Sequence, residues 1–173
     1  MINFLIEKGA SVNTFAGAKH ETPLHIVSVM DDIEFIEILI RNHAGINSVN
    51  INNETPLFLS ISSKHQENAL FLLKNRADPR IGNTEQVTPL HIAAQWGDKK
   101  LLKALIQENA NINAVDQDGY TPLIYSLMNK ESDKGFKYLL KHHANPNIFY
   151  TNGILFLIKK LFLLKQLKII NLK

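Results

Sequence analysis

One tetrapeptide recurs along the chain at a fixed interval, and this repeat constrains the fold more than any other feature. The four copies are Thr22-Pro23-Leu24-His25, Thr55-Pro56-Leu57-Phe58, Thr88-Pro89-Leu90-His91 and Thr121-Pro122-Leu123-Ile124, and the three intervals are each 33 residues. A second marker follows each copy, at Ala44, Ala77, Ala110 and Ala144. Self-similarity at a period of about 20 to 50 residues is typical of stacked repeat architectures. We therefore expect one continuous array of similar units.

The copy at residues 84–116 is the most regular, and it shows what each unit is expected to form. Thr88 predicts a helix N-cap, and Pro89 suits the first helical turn, where its missing N–H costs nothing. Gly97 predicts a tight turn, and the apolar spacing of residues 99–107 predicts a second helix. The polar stretch that follows is typical of a hairpin-like loop. The sequence thus predicts an all-α repeat solenoid of helix-turn-helix units joined by β-hairpin-like loops.

The Thr-Pro-Leu-His tetrapeptide, the 33-residue period and the stretch from Ala110 to Asn113 resemble the ankyrin repeat. The resemblance covers residues 1 to about 150. Full repeats are expected at 18–50, 51–83, 84–116 and 117–150. A partial unit with a second helix only is expected at 1–17, and a degenerate, apolar and basic segment at 151–173. The resemblance implies a non-enzymatic module without a cofactor.

The turn between the two helices of a unit is expected to vary along the chain. Only Gly97 supplies a glycine there, and the other units have Asp31, Lys64 and Lys130. A residue with a side chain is strained at positive φ, so these three turns are expected to differ in shape. The unit at 121–144 also carries one extra residue near 129–132. Repeats 55–77 and 121–144 are the expected weak points of the array.

The charge distribution argues against a nucleic-acid partner. The net charge is +3, but residues 153–173 contain five lysines and no acidic residue. Residues 1–152 therefore hold 14 Lys and Arg against 16 Asp and Glu, and no basic stripe is expected along them. The absence of cysteine excludes disulfides and thiolate metal sites. Without a signal peptide or an apolar span of about 18 residues, we expect a cytoplasmic protein.

The segment 151–173 departs from the pattern expected at the end of a repeat array. Repeat arrays normally end in capping units with a polar outer face, whereas this segment is chiefly Ile, Leu, Phe and Lys. The chain is therefore interpreted as a piece of a longer array. On a helical wheel the lysines of the segment scatter around the circumference, so no membrane contact is expected. The expected oligomeric state is a monomer.

The candidate catalytic and metal-binding residues have structural interpretations. In ankyrin repeats the histidine of the tetrapeptide serves a hydrogen-bond network between units, and His25 and His91 match that position. His142-His143 suits a helix C-terminus, and no metal site is expected there. Asp116-x-Asp118-Gly119 matches the start of a calcium loop, but the remaining ligands are missing, so a hairpin is expected.

Partners of ankyrin repeats usually dock on the loop tips and on the exposed side of the first helix. The resemblance places candidate binding residues at Glu21, Met30, Glu54, Glu85, Val87, Gln95, Trp96, Gln117, Asp118, Tyr120 and Met128. Exposed aromatics such as Trp96 and Tyr120 are candidate hot spots, although Trp96 could instead cover a neighbouring helix. The sequence therefore predicts a module that binds another protein through a concave face. The alternative is a truncated, non-functional remnant of a larger ankyrin-repeat protein.

Overall fold

The computed structural model describes residues 2–30, 32–128 and 133–148, and these residues form a row of stacked helix pairs. The helices are α1 (Ile2–Glu7), α2 (Pro23–Ser28), α3 (Ile33–Arg41), α4 (Pro56–Ser62), α5 (Gln66–Lys74), α6 (Pro89–Trp96), α7 (Lys99–Gln107), α8 (Pro122–Met128) and α9 (Lys134–Lys141). Pairs 1 to 4 are α2–α3, α4–α5, α6–α7 and α8–α9. Within the described ranges, extended pairing is limited to one antiparallel bridge between Ala16 and Glu21. The predicted all-α repeat solenoid is confirmed.

The threonines of the repeated tetrapeptide begin the first helix of each pair, as predicted. Thr22 and Thr88 each form a capping box with the histidine three residues later. Thr55 accepts a hydrogen bond from the amide of Phe58 at 3.1 Å, so the cap persists where the histidine is replaced. The proline that follows each threonine stands in the first helical turn, where its ring fits the helical φ.

The leucines of the tetrapeptide form the centre of a continuous core. Leu24, Leu57, Leu90 and Leu123 are at most 1% exposed. A second buried series comes from the second helices, at Leu39, Leu72, Leu105 and Leu139. The first helices of successive pairs contact one another, as do the second helices. Since no pair can bury both of its apolar faces alone, each pair is stabilised by its neighbours.

The turn at Lys64 corrects one prediction from the sequence. Gly97 has a φ of 68° and Lys64 a φ of 66°, and both turns make the same pattern of backbone hydrogen bonds. The expected change of shape is therefore wrong at Lys64. The Lys64 Nζ lies 3.9 Å from the centroid of the Trp96 ring, and this cation–π contact offsets part of the strain. Asp31, Lys130 and the segment 151–173 lie outside the described residues.

The described helices are short. The longest of them, in pairs 1 to 3, have nine residues each. None of the helices in the described part of the chain has the length and hydrophobicity that a membrane crossing requires.

Candidate protein-binding surface

Two buried histidines tie each of their pairs to the following loop. The Nδ1 atom of His91 accepts from the amide of Thr88 at 3.0 Å, so the proton must be on Nε2. The Nε2–H group then donates to the carbonyl of Tyr120 in the next loop at 3.0 Å. His25 makes the same pair of contacts, its Nε2 reaching the carbonyl of Glu54 at 3.0 Å. Both rings are fully buried, and this is the inter-unit network that the sequence predicts.

The burial of His91 makes the stability of the array dependent on pH. Burial lowers the pKa of the His91 imidazole, against a smaller opposing effect of its hydrogen bond to the Tyr120 carbonyl. The folded-state pKa thus lies below the unfolded value of about 6.5. The stability contributed by the neutral ring is fully present above that pH and is lost as the pH falls through the folded-state pKa. We expect the urea midpoint to fall between about pH 7.5 and pH 5.

The matched control for this effect is His91→Phe, because phenylalanine occupies the equivalent position at Phe58. The variant loses the ionisable ring but keeps an aromatic group of similar size. We expect its urea midpoint to fall less over the same pH interval than that of the wild-type chain. An equal fall in both proteins would show that His91 does not contribute to the acid sensitivity.

Each loop between pairs is braced by an Asn or Asp side chain, and these residues also recur at intervals of 33. They are Asn50, Asn83 and Asp116. In each case Oδ1 accepts from the backbone amides two and four residues further on, at 2.8–3.0 Å. The stretch from Asp116 to Tyr120 forms a tight turn, which the hydrogen bond from the Asp116 amide to the Tyr120 carbonyl at 3.0 Å closes. Asn50 and Asn83 were not recognised from the sequence, although the spacing that reveals them is present there.

Asp116 accepts three hydrogen bonds, whereas Asn50 and Asn83 accept two each. It is 7% exposed, and its Oδ2 atom also accepts from the hydroxyl of Tyr125 at 2.8 Å. Asp116→Ala would leave two amides and one hydroxyl without this acceptor, so we expect a loss of about 2 to 3 kcal/mol in the free energy of unfolding. Asp118→Ala, two residues away and exposed, is expected to change it by less than about 0.5 kcal/mol. Urea denaturation of both variants tests this, and equal losses would contradict the role of Asp116.

Most of the predicted binding residues lie at the surface. Met30, Glu85, Trp96, Gln117, Asp118 and Met128 are exposed, and Glu21, Glu54, Gln95 and Tyr120 are half-buried. Two of these side chains make hydrogen bonds within the loops. The Glu54 carboxylate accepts from Asn50 Nδ2 at 2.9 Å, and Gln117 Nε2 donates to the carbonyl of Thr84 at 2.6 Å. These two side chains therefore support the loop tips as well as lining them.

The prediction that Val87 is an exposed binding residue is wrong, because its side chain is buried. It is 6% exposed. Its amide is held by Asn83, and the amide of Gln117 in the next loop donates to the carbonyl of Glu85 at 2.9 Å. These bonds draw the following loop against Val87. Its valine side chain is thus part of the contact between pairs 3 and 4.

The exposed sides of α2, α4, α6 and α8 form one surface, which we call the first-helix face. One row of it has the same register in all pairs, namely Ile26, Leu59, Ile92 and Tyr125. The row is 40% exposed at Ile26 and half-buried elsewhere. None of the four helices contains a Lys, Arg, Asp or Glu. This row was not among the predicted residues, although its 33-residue spacing is visible in the sequence.

Trp96 stands at the end of α6 and is the largest exposed side chain of the first-helix face. It lines a pocket of about 250 Å³ with Ile61 and Lys64 of pair 2, so it does partly cover its neighbour. It nevertheless remains 40% exposed. The contact with Lys64 holds the ring at the boundary between pairs 2 and 3. The ring therefore partly covers the neighbouring pair, and its role as a binding hot spot stays a prediction.

The chain is similar to known proteins of several organisms. Over 156 residues the chain is 28% identical to a Saccharomyces cerevisiae protein described as a probable 26S proteasome regulatory subunit p28, covering 87% of this chain and 68% of that protein. It is 29% identical over 156 residues to human ankyrin repeat and SOCS box protein 16, with 82% and 34% covered. It is 32% identical over 124 residues to alpha-latrocrustotoxin-Lt1a of Latrodectus tredecimguttatus, with 71% and 9% covered.

The chain thus spans about a third or less of the length of the human and spider proteins. The family model for ankyrin repeats (3 copies) matches residues 1–83 and 75–150. The matched residues include all four copies of the tetrapeptide and all four helix pairs. The chain therefore belongs to the ankyrin-repeat family.

Proposed function

We propose that the chain is a protein-interaction module that binds another protein through a concave face, formed by the first-helix face and the adjoining loop tips. Ankyrin repeats generally mediate protein–protein interaction, and the family is generally non-enzymatic. The observation that carries the proposal is the apolar first-helix face, where Ile26, Trp96 and Met128 are each 37–40% exposed, and Met30 just beyond α2 is 45% exposed. Apolar side chains exposed along helices that carry no charged residue favour an interface with another protein.

The contacts of the two buried histidines support a non-enzymatic function. In both His25 and His91, one ring nitrogen bonds the capping threonine and the other bonds a loop carbonyl. A general base needs a nitrogen that can reach a substrate. Neither ring offers one, since both are fully buried. We further infer that the protein acts as a monomer in the cytoplasm and has no nucleic-acid partner. The bounds of the individual repeats, given above from the sequence, also remain predictions.

A pull-down with the immobilised full chain tests the proposal. The test variant is Trp96→Ala/Tyr120→Ala, which removes the two predicted aromatic hot spots. The control is Leu140→Ala, which removes a 37% exposed apolar side chain on the second helix of pair 4. We expect a protein that is retained by the wild-type chain and by the control but is lost from the double variant. Circular dichroism verifies that all three proteins are folded.

Two other outcomes would count against the proposal. A partner retained equally by the double variant would place binding away from the first-helix face. A chain that retains no protein above background would instead favour the alternative, a remnant of a larger ankyrin-repeat protein without a partner of its own.

A further inference from the structure

The charges of the described residues are separated between two sides in pairs 3 and 4, whereas α3 and α5 together carry two basic residues and three glutamates. The second helices α3, α5, α7 and α9 carry eight basic residues against three glutamates. The basic residues are Arg41, Lys74, Lys99, Lys100, Lys103, Lys134, Lys137 and Lys141. The loop tips, at residues 19–21, 52–54, 84–87 and 116–120, have the opposite balance: five carboxylates and one lysine. The uncharged first-helix face is thus bordered by acidic loops.

The acidic border is most concentrated beside Tyr125, where the loops of pairs 3 and 4 meet α8. A pocket of about 260 Å³ is lined there by Glu85, Val87, Asp116, Gln117, Asp118 and Tyr125. The lining therefore contains three carboxylates and no basic residue. One wall comes from the half-buried Tyr125 of the first-helix face, so the pocket opens on the surface already proposed to bind a partner.

Two of the three carboxylates are available to a ligand. Asp116 is committed, because its oxygens accept from two loop amides and from the Tyr125 hydroxyl. Glu85 and Asp118 are exposed, and neither side chain has a hydrogen-bond or ion-pair partner among the described residues. A positively charged group placed opposite them would pair with both carboxylates. The ring and methylene groups of the lining suit the aliphatic stem of a long basic side chain.

From these features we infer that the segment bound on the first-helix face is both apolar and basic, with a lysine or arginine of the partner protein entering the pocket beside Tyr125. This inference rests on the proposed function and specifies the chemistry of the partner. The apolar residues of the segment would contact Trp96 and the row that includes Ile92. The acidic loop tips would steer a basic segment toward this face, whereas the lysines of α7 and α9 would repel it.

A random dodecapeptide library displayed on phage, selected against the immobilised full chain, tests the inference. We expect the enriched sequences to combine Lys or Arg with apolar residues. Synthetic fluorescein-labelled copies of these peptides then give Kd values by fluorescence anisotropy. Glu85→Gln/Asp118→Asn is expected to weaken binding about tenfold, and binding should also weaken as salt is added. The control Glu34→Gln/Glu37→Gln removes two carboxylates from the second helix α3 and should leave Kd unchanged.

The outcomes separate this inference from the proposed function. Peptides that depend on Trp96 but not on Glu85 and Asp118 would overturn the inference and leave the proposed function standing. Peptides that bind equally well after Trp96→Ala would contradict the first-helix face itself. Enriched sequences that are acidic or uncharged would also overturn the inference, as would a selection that enriches no sequence.

Discussion

Replacing Leu90 with alanine is expected to lower the free energy of unfolding by about 3 kcal/mol. Leu90 is fully buried in α6, and this helix contacts α4 on one side and α8 on the other. The substitution therefore leaves a cavity between three pairs, and the surrounding helices can collapse into it only partly. Urea denaturation followed by far-UV circular dichroism measures the loss.

Leu140→Ala is the matched control, because it makes the same chemical change at a leucine that is 37% exposed on α9. We expect it to cost less than about 1 kcal/mol, since less apolar surface is returned to water and no enclosed cavity forms. Similar losses at the two positions would contradict a core that is centred on the leucines of the tetrapeptide.

Replacing Trp96 with alanine is expected to weaken binding of the captured partner about 30-fold, which corresponds to about 2 kcal/mol. Tryptophan is the residue most often found at hot spots because it buries a large surface with few rotatable bonds. The contact with Lys64 already restricts the ring, so less side-chain entropy remains to be lost on binding. Isothermal titration calorimetry with the purified partner gives the two Kd values.

The stability of the Trp96→Ala variant has to be measured beside its affinity, because Trp96 also lines a pocket with Ile61 and Leu101. Leu140→Ala again serves as the control for a lost apolar side chain outside the first-helix face. The expected result is weaker binding at a temperature where both variants are fully folded. A change in Kd of less than about twofold would remove Trp96 from the interface.

The parts of the fold that depend on local signals could be predicted from the sequence. Thr88 and Pro89 begin α6 because capping and a fixed φ act within one helical turn. The apolar spacing of residues 99–107 gives the bounds of α7, Lys99–Gln107. The inter-unit role of His91 followed from the resemblance. The threonine and the proline recur in all four units and the histidine in two, so the period reveals them.

The remaining features depend on contacts between units, and the sequence alone does not show which residues of neighbouring units meet. Lys64 keeps a left-handed turn, and its ammonium group lies over an aromatic ring 32 positions later. Val87 is buried because the next loop packs against it. The separation of charge was hidden for the same reason. Residues 1–152 are nearly neutral as a whole, and the fold places seven of their eleven lysines on the second helices and five of their sixteen carboxylates on the loop tips.

The central claim, that the first-helix face and its loop tips bind a protein, is tested most directly by NMR on the full chain labelled with ¹⁵N. Amide signals are followed while the unlabelled partner from the pull-down is added. We predict the largest changes at Glu85, Trp96, Asp118 and Met128, with little change in α7 and α9. Changes confined to α7 and α9 would contradict the claim, because they would place the partner on the basic second helices.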